Sequence, residues 1–248
     1  MADYQGALER IERQVDAGNT DLAALGFWTA VGKAKRDPDL AAPIPEWIGR
    51  IDRKAFEARK SFLAPVWLGN LVLLMGTLVM LALVPIGIRL ADGRIGGSPQ
   101  PFWGGVLILV AAGGLSVTVH AAAHWLAGRM AGIRFTHYFL DGPFRIQPGI
   151  KTDYASYLRT PASRRASMHA AGALASKAAP FVVFGWAYAA HWRRDWDLLP
   201  AWSLWAVLGL GLFQIVTDVV WSTRRSDWKK VRRELRIARE TQGPGGVR

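Results

Sequence analysis

The sequence contains no cysteine. Disulfides and thiolate ligands are therefore excluded, and any metal site must be built from imidazole, carboxylate or carbonyl groups. Histidine is scarce as well: there are five in 248 residues, so the position of each is informative. Negative charge is in deficit, with 19 Asp and Glu against 31 Lys and Arg, a net charge of +12. Such an excess suits basic faces turned toward anionic lipid headgroups. Nucleic acid is the rival partner for that charge, but no recognised binding motif accompanies it, so none is expected. The opening stretch MADYQGALERIERQ has no apolar h-region, so it is not expected to act as a secretory signal.

What is present is long apolar sequence. About half the residues (51%) are apolar, and they gather into blocks at Phe62–Ile88, Phe102–Met130, about Ala166–Trp192 and about Leu198–Trp221. Each is long enough to cross a bilayer as a helix. The third is rich in alanine and carries His169 and Lys177; its small residues from Ala170 to Ser176 allow a neighbouring helix to approach closely. The expected fold class is an all-α polytopic membrane protein with about four transmembrane helices. A cytosolic helical segment (1–60), a membrane core (61–221) and a basic tail (222–248) make up the expected organisation.

Lys and Arg cluster on alternate sides of these blocks. Arg50, Arg53, Lys54, Arg59 and Lys60 precede the first, and the loop after the second carries Arg134, Arg145, Lys151, Arg159, Arg164 and Arg165. The tail holds a further basic run, whereas the other two loops have only Arg89 and Arg94, and Arg193 and Arg194. The positive-inside rule then puts both termini in the cytoplasm of a cell whose inner membrane holds the chain. Tryptophans such as Trp67, Trp103, Trp125, Trp192, Trp196, Trp202 and Trp221 lie mostly near block ends and read as aromatic-belt anchors.

Outside the blocks, Leu8, Ile11 and Val15 recur at helical spacing, Gly18-Asn19 breaks that helix, and Thr20 or Asp21 is placed to cap the next. Pro38, Pro43 and Pro45 mark a linker before a helix over about Glu46–Lys60. The segment reads as an amphipathic cap on the cytosolic face, with a partner-binding domain as the alternative. The loop Gly132–Ser163 is too long for a simple connector. Turn signals at Asp141-Gly142-Pro143 and Pro148-Gly149, flanked by aromatic and aliphatic residues, predict a short hairpin or interfacial segment there. The tail Ser222–Arg248 reads as a basic helix ending in a Gly-Pro-Gly-Gly stretch, suited to anionic headgroups.

Chemistry concentrates in the second block at His120-Ala121-Ala122-Ala123-His124. Histidines four apart share one helix face, where two imidazoles can reach one metal ion. Asp218, in the fourth block, is an ionisable residue that needs a partner inside a membrane. His124 lies six residues before Met130 and Asp218 three before Trp221, so their depths differ by about one helical turn. Two histidines, one carboxylate and an open position form a catalytic type of zinc shell. His169 opens the third block on the same side; an interfacial histidine is the commoner role, an extra ligand or hydrogen-bond partner the rarer one. His137 and His191 read as interfacial.

These residues resemble a known family. His120-x-x-x-His124, followed by Ala127, Gly132 and Phe135, resembles the opening motif of site-2 proteases, the intramembrane zinc metalloproteases of the M50 type. Ala171-Gly172-Ala173-Leu174-Ala175 is similar to that family's A-G-P-x-A stretch, with Ala173 where Pro is usual. Gln214–Asp218, followed by Ser226-Asp227, resembles the late helix that supplies an acidic zinc ligand, and the resemblance spans roughly Gly114–Arg233. It implies zinc held by His120, His124 and Asp218, and cleavage of substrate transmembrane helices. The departure is at the catalytic position: where the family has its general-base Glu, this chain has Ala121. General-base assistance is worth about 10²–10⁴-fold, and only Asp141 and Asp153 in the following loop offer substitutes. The expectation is a site-2-protease-like scaffold with weak or absent peptidase activity. The rival expectations are a metal-free binding or assembly module whose His and Asp form a structural polar cluster, and a proton relay.

Overall fold

The computed structural model describes residues 2–37, 42–60, 62–141, 147–193, 197–220 and 226–241. Helix accounts for 76% of it, so the fold is all-α in class with a small sheet inserted. Among the described residues, four helices are long and apolar enough to cross a membrane: α4 (Val66–Ala91), α5 (Pro101–Met130), α7 (Ala162–Trp192) and α8 (Ala201–Val220). They correspond to the four apolar blocks. The chain divides into two compact units, one of residues 1–66, 125–168 and 230–248, the other of 67–124 and 169–229. Each unit is thus assembled from separated stretches of sequence.

The first unit begins with α1 (Ala2–Asp16), whose Leu8, Ile11 and Val15 are buried as their spacing requires. Asp21 Oδ1 accepts from the backbone N–H groups of Ala23 and Ala24, both at 3.1 Å, and organises a turn. Helix α2 (Phe27–Ala34) starts only after Gly26, whose φ of 75° lies in the left-handed region that glycine tolerates. Helix α3 (Pro43–Arg59) starts three residues before the expected Glu46. Pro43 and Pro45 fall in its first turn, where the missing N–H has no intrahelical acceptor to lose. Pro38 lies outside the described residues. Ile44, Ile48, Ile51 and Ala55 pack with Leu8, Leu22 and Phe27 in one apolar cluster.

The long loop does contain a hairpin. Strands β2 (Phe135–Asp141) and β3 (Gln147–Thr152) pair antiparallel, and the two-residue β1 (Ala64–Pro65) joins on the far side of β2. Because Ala64 and Pro65 pair with Tyr138 and His137, α4 begins at Val66, later than the expected Phe62. Pro148-Gly149, expected as a turn, lies instead inside β3 opposite Leu140 and Phe139. Two facts permit this: β3 is an edge strand, where a proline N–H is not missed, and a Cβ on Gly149 would lie 2.6 Å from the Phe139 ring. The expected turn at Gly142-Pro143 lies outside the described residues. Helix α6 (Tyr154–Arg159) follows, capped by Asp153, whose carboxylate accepts from Ser156 N at 3.3 Å.

Helix α9 (Asp227–Thr241) contributes Glu234 to this unit. Its carboxylate is fully buried and is bound by Lys35 at 2.5 Å, Arg165 at 2.8 Å and the Tyr157 hydroxyl at 3.1 Å. The N-terminal helices, α6, the start of α7 and α9 thereby share one buried charge cluster. Burial pushes Lys35 down to about 8. Burial would push Glu234 up, but Lys35 and Arg165 together hold it below its ordinary 4.5.

The second unit packs Val84, Ile108, Ala111, Ala112, Leu115, Val183 and Val207 into a core shared by α4, α5, α7 and α8. Helices α4 and α5 meet backbone to backbone, since a Cβ on Gly87 would stand 2.8 Å from the Gly104 carbonyl oxygen. Gln214 Nε2 donates to Ser116 Oγ at 3.2 Å, satisfying two polar groups between α5 and α8. The other faces of α4 turn outward with Trp67, Leu71, Val72, Met75, Leu78 and Val79 exposed, the pattern of a helix solvated by lipid.

Glu234→Gln leaves two buried cations without their counter-charge, and a loss of about 3–5 kcal/mol is expected. A carboxyl held below its unfolded value contributes stability above that value and loses it as pH falls through the folded value. Unfolding of detergent-purified protein is therefore expected to become easier below about pH 4.5, with a weaker dependence in the Gln variant. Denaturant titrations across that range measure both, and identical pH profiles for the two proteins would contradict the assignment.

Candidate metal centre

All the groups of the site lie in the second unit. On α5, His120 and His124 stand one turn apart with ring centroids 4.7 Å from each other. Helix α7 holds the first of them: His120 Nδ1 is 3.1 Å from the Gly172 carbonyl oxygen and 3.4 Å from Ser176 Oγ. A carbonyl only accepts, so Nδ1 carries the proton and Nε2 presents its lone pair. A metal-binding histidine is oriented in the same way, by a carbonyl on its other ring nitrogen.

Both Nε2 atoms converge on one carboxylate oxygen. Asp227 Oδ2 is 3.0 Å from His124 Nε2 and 3.4 Å from His120 Nε2. The three donor atoms lie within 4.8 Å of one another, and no other trio of this kind occurs among the described residues. Co-ligands of a tetrahedral zinc with bonds of about 2.0–2.2 Å stand about 3.3–3.6 Å apart, so the donors are already near the required spacing. Two neutral imidazoles and a carboxylate are also a chemically suitable donor set for zinc. Asp227 is the first residue of α9, where the helix dipole favours its negative charge.

Asp218, expected from the sequence to supply the carboxylate, is placed elsewhere. It forms an ion pair with Lys177 of α7, whose ammonium also donates to the Ala173 carbonyl at 3.3 Å. A lysine within a membrane-length helix needs a counter-charge, and Asp218 supplies it. Nine residues further on, Asp227 occupies the position beside the histidines. The sequence carried one signal for this: a Lys and an Asp in membrane-length helices neutralise each other, which leaves the histidine pair to the next acidic residue.

Ala121 is buried at 2% exposure and offers only a methyl group. Asp153 caps α6 and pairs with Arg53 and Arg134 at 3.2 and 3.3 Å in the first unit, so its carboxylate is already committed. The side chain of Asp141 lies outside the described residues. His169 faces the site, with Nδ1 3.9 Å from Asp227 Oδ1 and its ring centroid 6.1 Å from that of His124. His191 accepts from Leu199 N at 3.0 Å across the connection between α7 and α8, and His137 lies in β2 with Nδ1 4.0 Å from Glu57. Trp67, Trp103, Trp192 and Trp202 are exposed near helix ends, Trp125 is half-buried within α5, and Trp196 and Trp221 lie outside the described residues.

Gly172 explains why α7 is small-residue-rich here, because a Cβ at this position would fall on the His124 imidazole. Gly172→Ala is expected to displace that ring and to cost about 1–3 kcal/mol of overpacking. Gly185→Ala, on the same helix with nothing within 4 Å of its would-be Cβ, is the control and is expected to behave as the parent. Thermal unfolding checks both, and equal behaviour of the two variants would contradict the packing. No family model, curated protein or solved structure matches the chain.

Proposed function

We propose that the chain is a site-2-protease-like membrane scaffold that binds zinc through His120, His124 and Asp227 and has lost peptidase activity. The observation that carries this reading is the convergence of both imidazole Nε2 atoms on Asp227 Oδ2, at 3.4 and 3.0 Å, with the His120 tautomer set by Gly172. When bound, zinc supplies Lewis acidity and can lower the pKa of a water ligand. The residues of this chain do the rest: α5 supplies two ligands, α9 the third, and α7 orients the first. Proton transfer is what the site lacks. With a methyl group at Ala121, nothing in the motif takes a proton from water or returns one to a leaving amine, a deficit of about 10²–10⁴-fold.

A scaffold of this type is suited to holding or presenting transmembrane helices without cutting them. The exposed basic residues Lys229, Arg232, Arg233, Arg236 and Arg239 of α9 support attachment to anionic headgroups, and the distribution of Lys and Arg supports an inner-membrane location with cytoplasmic termini. The second reading is a metal-free assembly module. It is favoured by the His124–Asp227 separation of 3.0 Å, which already satisfies both groups as a hydrogen bond.

Elemental analysis of detergent-purified protein, paired with cleavage of a transmembrane-helix peptide, separates these readings. About one zinc per chain is expected, lost in His120→Ala, with no cleavage above that of a chelator-treated control. Chelator-sensitive cleavage by the parent chain would overturn the loss of activity. Absence of zinc would favour the assembly module.

A further inference from the structure

In the first unit, α1, the turn 24–26 and α2 enclose an open groove of about 590 Å³, within the size range of sites that hold a ligand. Its lining runs along α1 from Asp3 to Gln14, about three helical turns or about 17 Å. Ile11 and Ala30 are buried at its floor, Ala7 and Leu25 are half-buried, and Arg10 of α1 and Lys33 of α2 are exposed on its two walls. The Tyr4 hydroxyl donates to the Ala30 carbonyl at 2.9 Å, which holds the walls together at one end. Helix α1 divides its charges between two faces. Toward α3, Glu12 pairs with Arg50 at 2.8 Å and Asp16 with Lys54 at 2.7 Å. On the groove side, neither Arg10 nor Lys33 has a hydrogen-bond or ion-pair partner among the described residues. Asp3, the one carboxylate of the lining, lies seven residues before Arg10, about two turns away.

We propose that this groove docks an acidic amphipathic helix of about three turns, contributed by a partner protein. Apolar side chains at i, i+4 and i+7 of that helix seat over Ile11 and Ala30, and its flanking carboxylates meet Arg10 and Lys33. The shape of the groove selects this occupant. A planar lipid surface cannot enter a concave site to reach Ile11 and Ala30, and α1 and α2 present no strand edge to which an extended peptide could add. Opposed cations above an apolar floor match carboxylates flanking an apolar stripe, and they repel a basic helix. Docking here uses no residue of the metal centre and does not depend on zinc.

The test is selection of displayed helical peptides by the full chain in nanodiscs of zwitterionic lipid. The peptides are about twelve residues long, with Leu or Phe at i, i+4 and i+7 and Glu, Lys or Gln at the flanking positions. The parent is expected to enrich Glu-flanked sequences. Arg10→Glu/Lys33→Glu is expected to bind the enriched peptide at least about 10-fold more weakly, as two lost and inverted ion pairs allow, and to enrich Lys-flanked sequences instead. That exchange of preference shows that the variant is folded. Thr29→Trp, which places a large ring in the groove from an exposed position of α2, is expected to enrich neither. Absence of enrichment by the parent, or the same preference in the parent and the charge-reversed protein, overturns the proposal. Unchanged binding to Thr29→Trp overturns it equally, since the peptide then sits elsewhere.

Discussion

The second unit depends on a carboxylate meeting imidazoles inside a protein surrounded by apolar surface. Asp227 stands 3.0 Å from His124 and 3.4 Å from His120, and neither a charge nor a polar ring is tolerated at such a place without partners. The details nearby follow from that requirement. Gly172 lacks a Cβ because the His124 ring occupies its place. Its carbonyl accepts a hydrogen bond from His120 Nδ1–H, which turns the other nitrogen toward the carboxylate. The small residues of α7 are therefore a steric condition for the cluster as well as a packing surface between helices.

The same rule of paired charge recurs twice elsewhere. Lys177 and Asp218 neutralise each other between α7 and α8, and Glu234 is enclosed by Lys35, Arg165 and Tyr157 in the first unit. A buried cluster such as that of Glu234 adds little net stability relative to apolar packing, but losing one member is costly. These pairings act as address labels: each restricts which helix face meets which.

The four membrane-length helices were legible because apolar length is a signal that needs no tertiary information. The hairpin was legible from its flanking aromatics, although Pro148-Gly149 proved to be strand, because edge position and the Phe139 ring cannot be seen in a linear pattern. Proline likewise marked a linker where Pro43 and Pro45 instead open α3. The histidine pair was legible from spacing alone. The carboxylate beside it was not, since depth counted along one helix places Asp218 at the right level but says nothing of its facing Lys177. Asp227 sits beyond the last apolar block, at the start of a basic amphipathic helix, where sequence alone shows an N-terminal helix charge and not a partner for the histidines. Its resemblance to the late motif of site-2 proteases touched the residue without assigning it a role.

In the proposed reading, Asp227 and not Asp218 joins the two histidines of α5 in holding zinc. Competition with a chromophoric chelator, compared between Asp227→Asn and Asp218→Asn, separates the two carboxylates. The Asp227 variant is expected to lose zinc affinity by about 100-fold or more while the Asp218 variant stays near the parent, given that even outer-shell losses cost 10–100-fold. Parental affinity in Asp227→Asn, with the loss falling on Asp218→Asn instead, would contradict it.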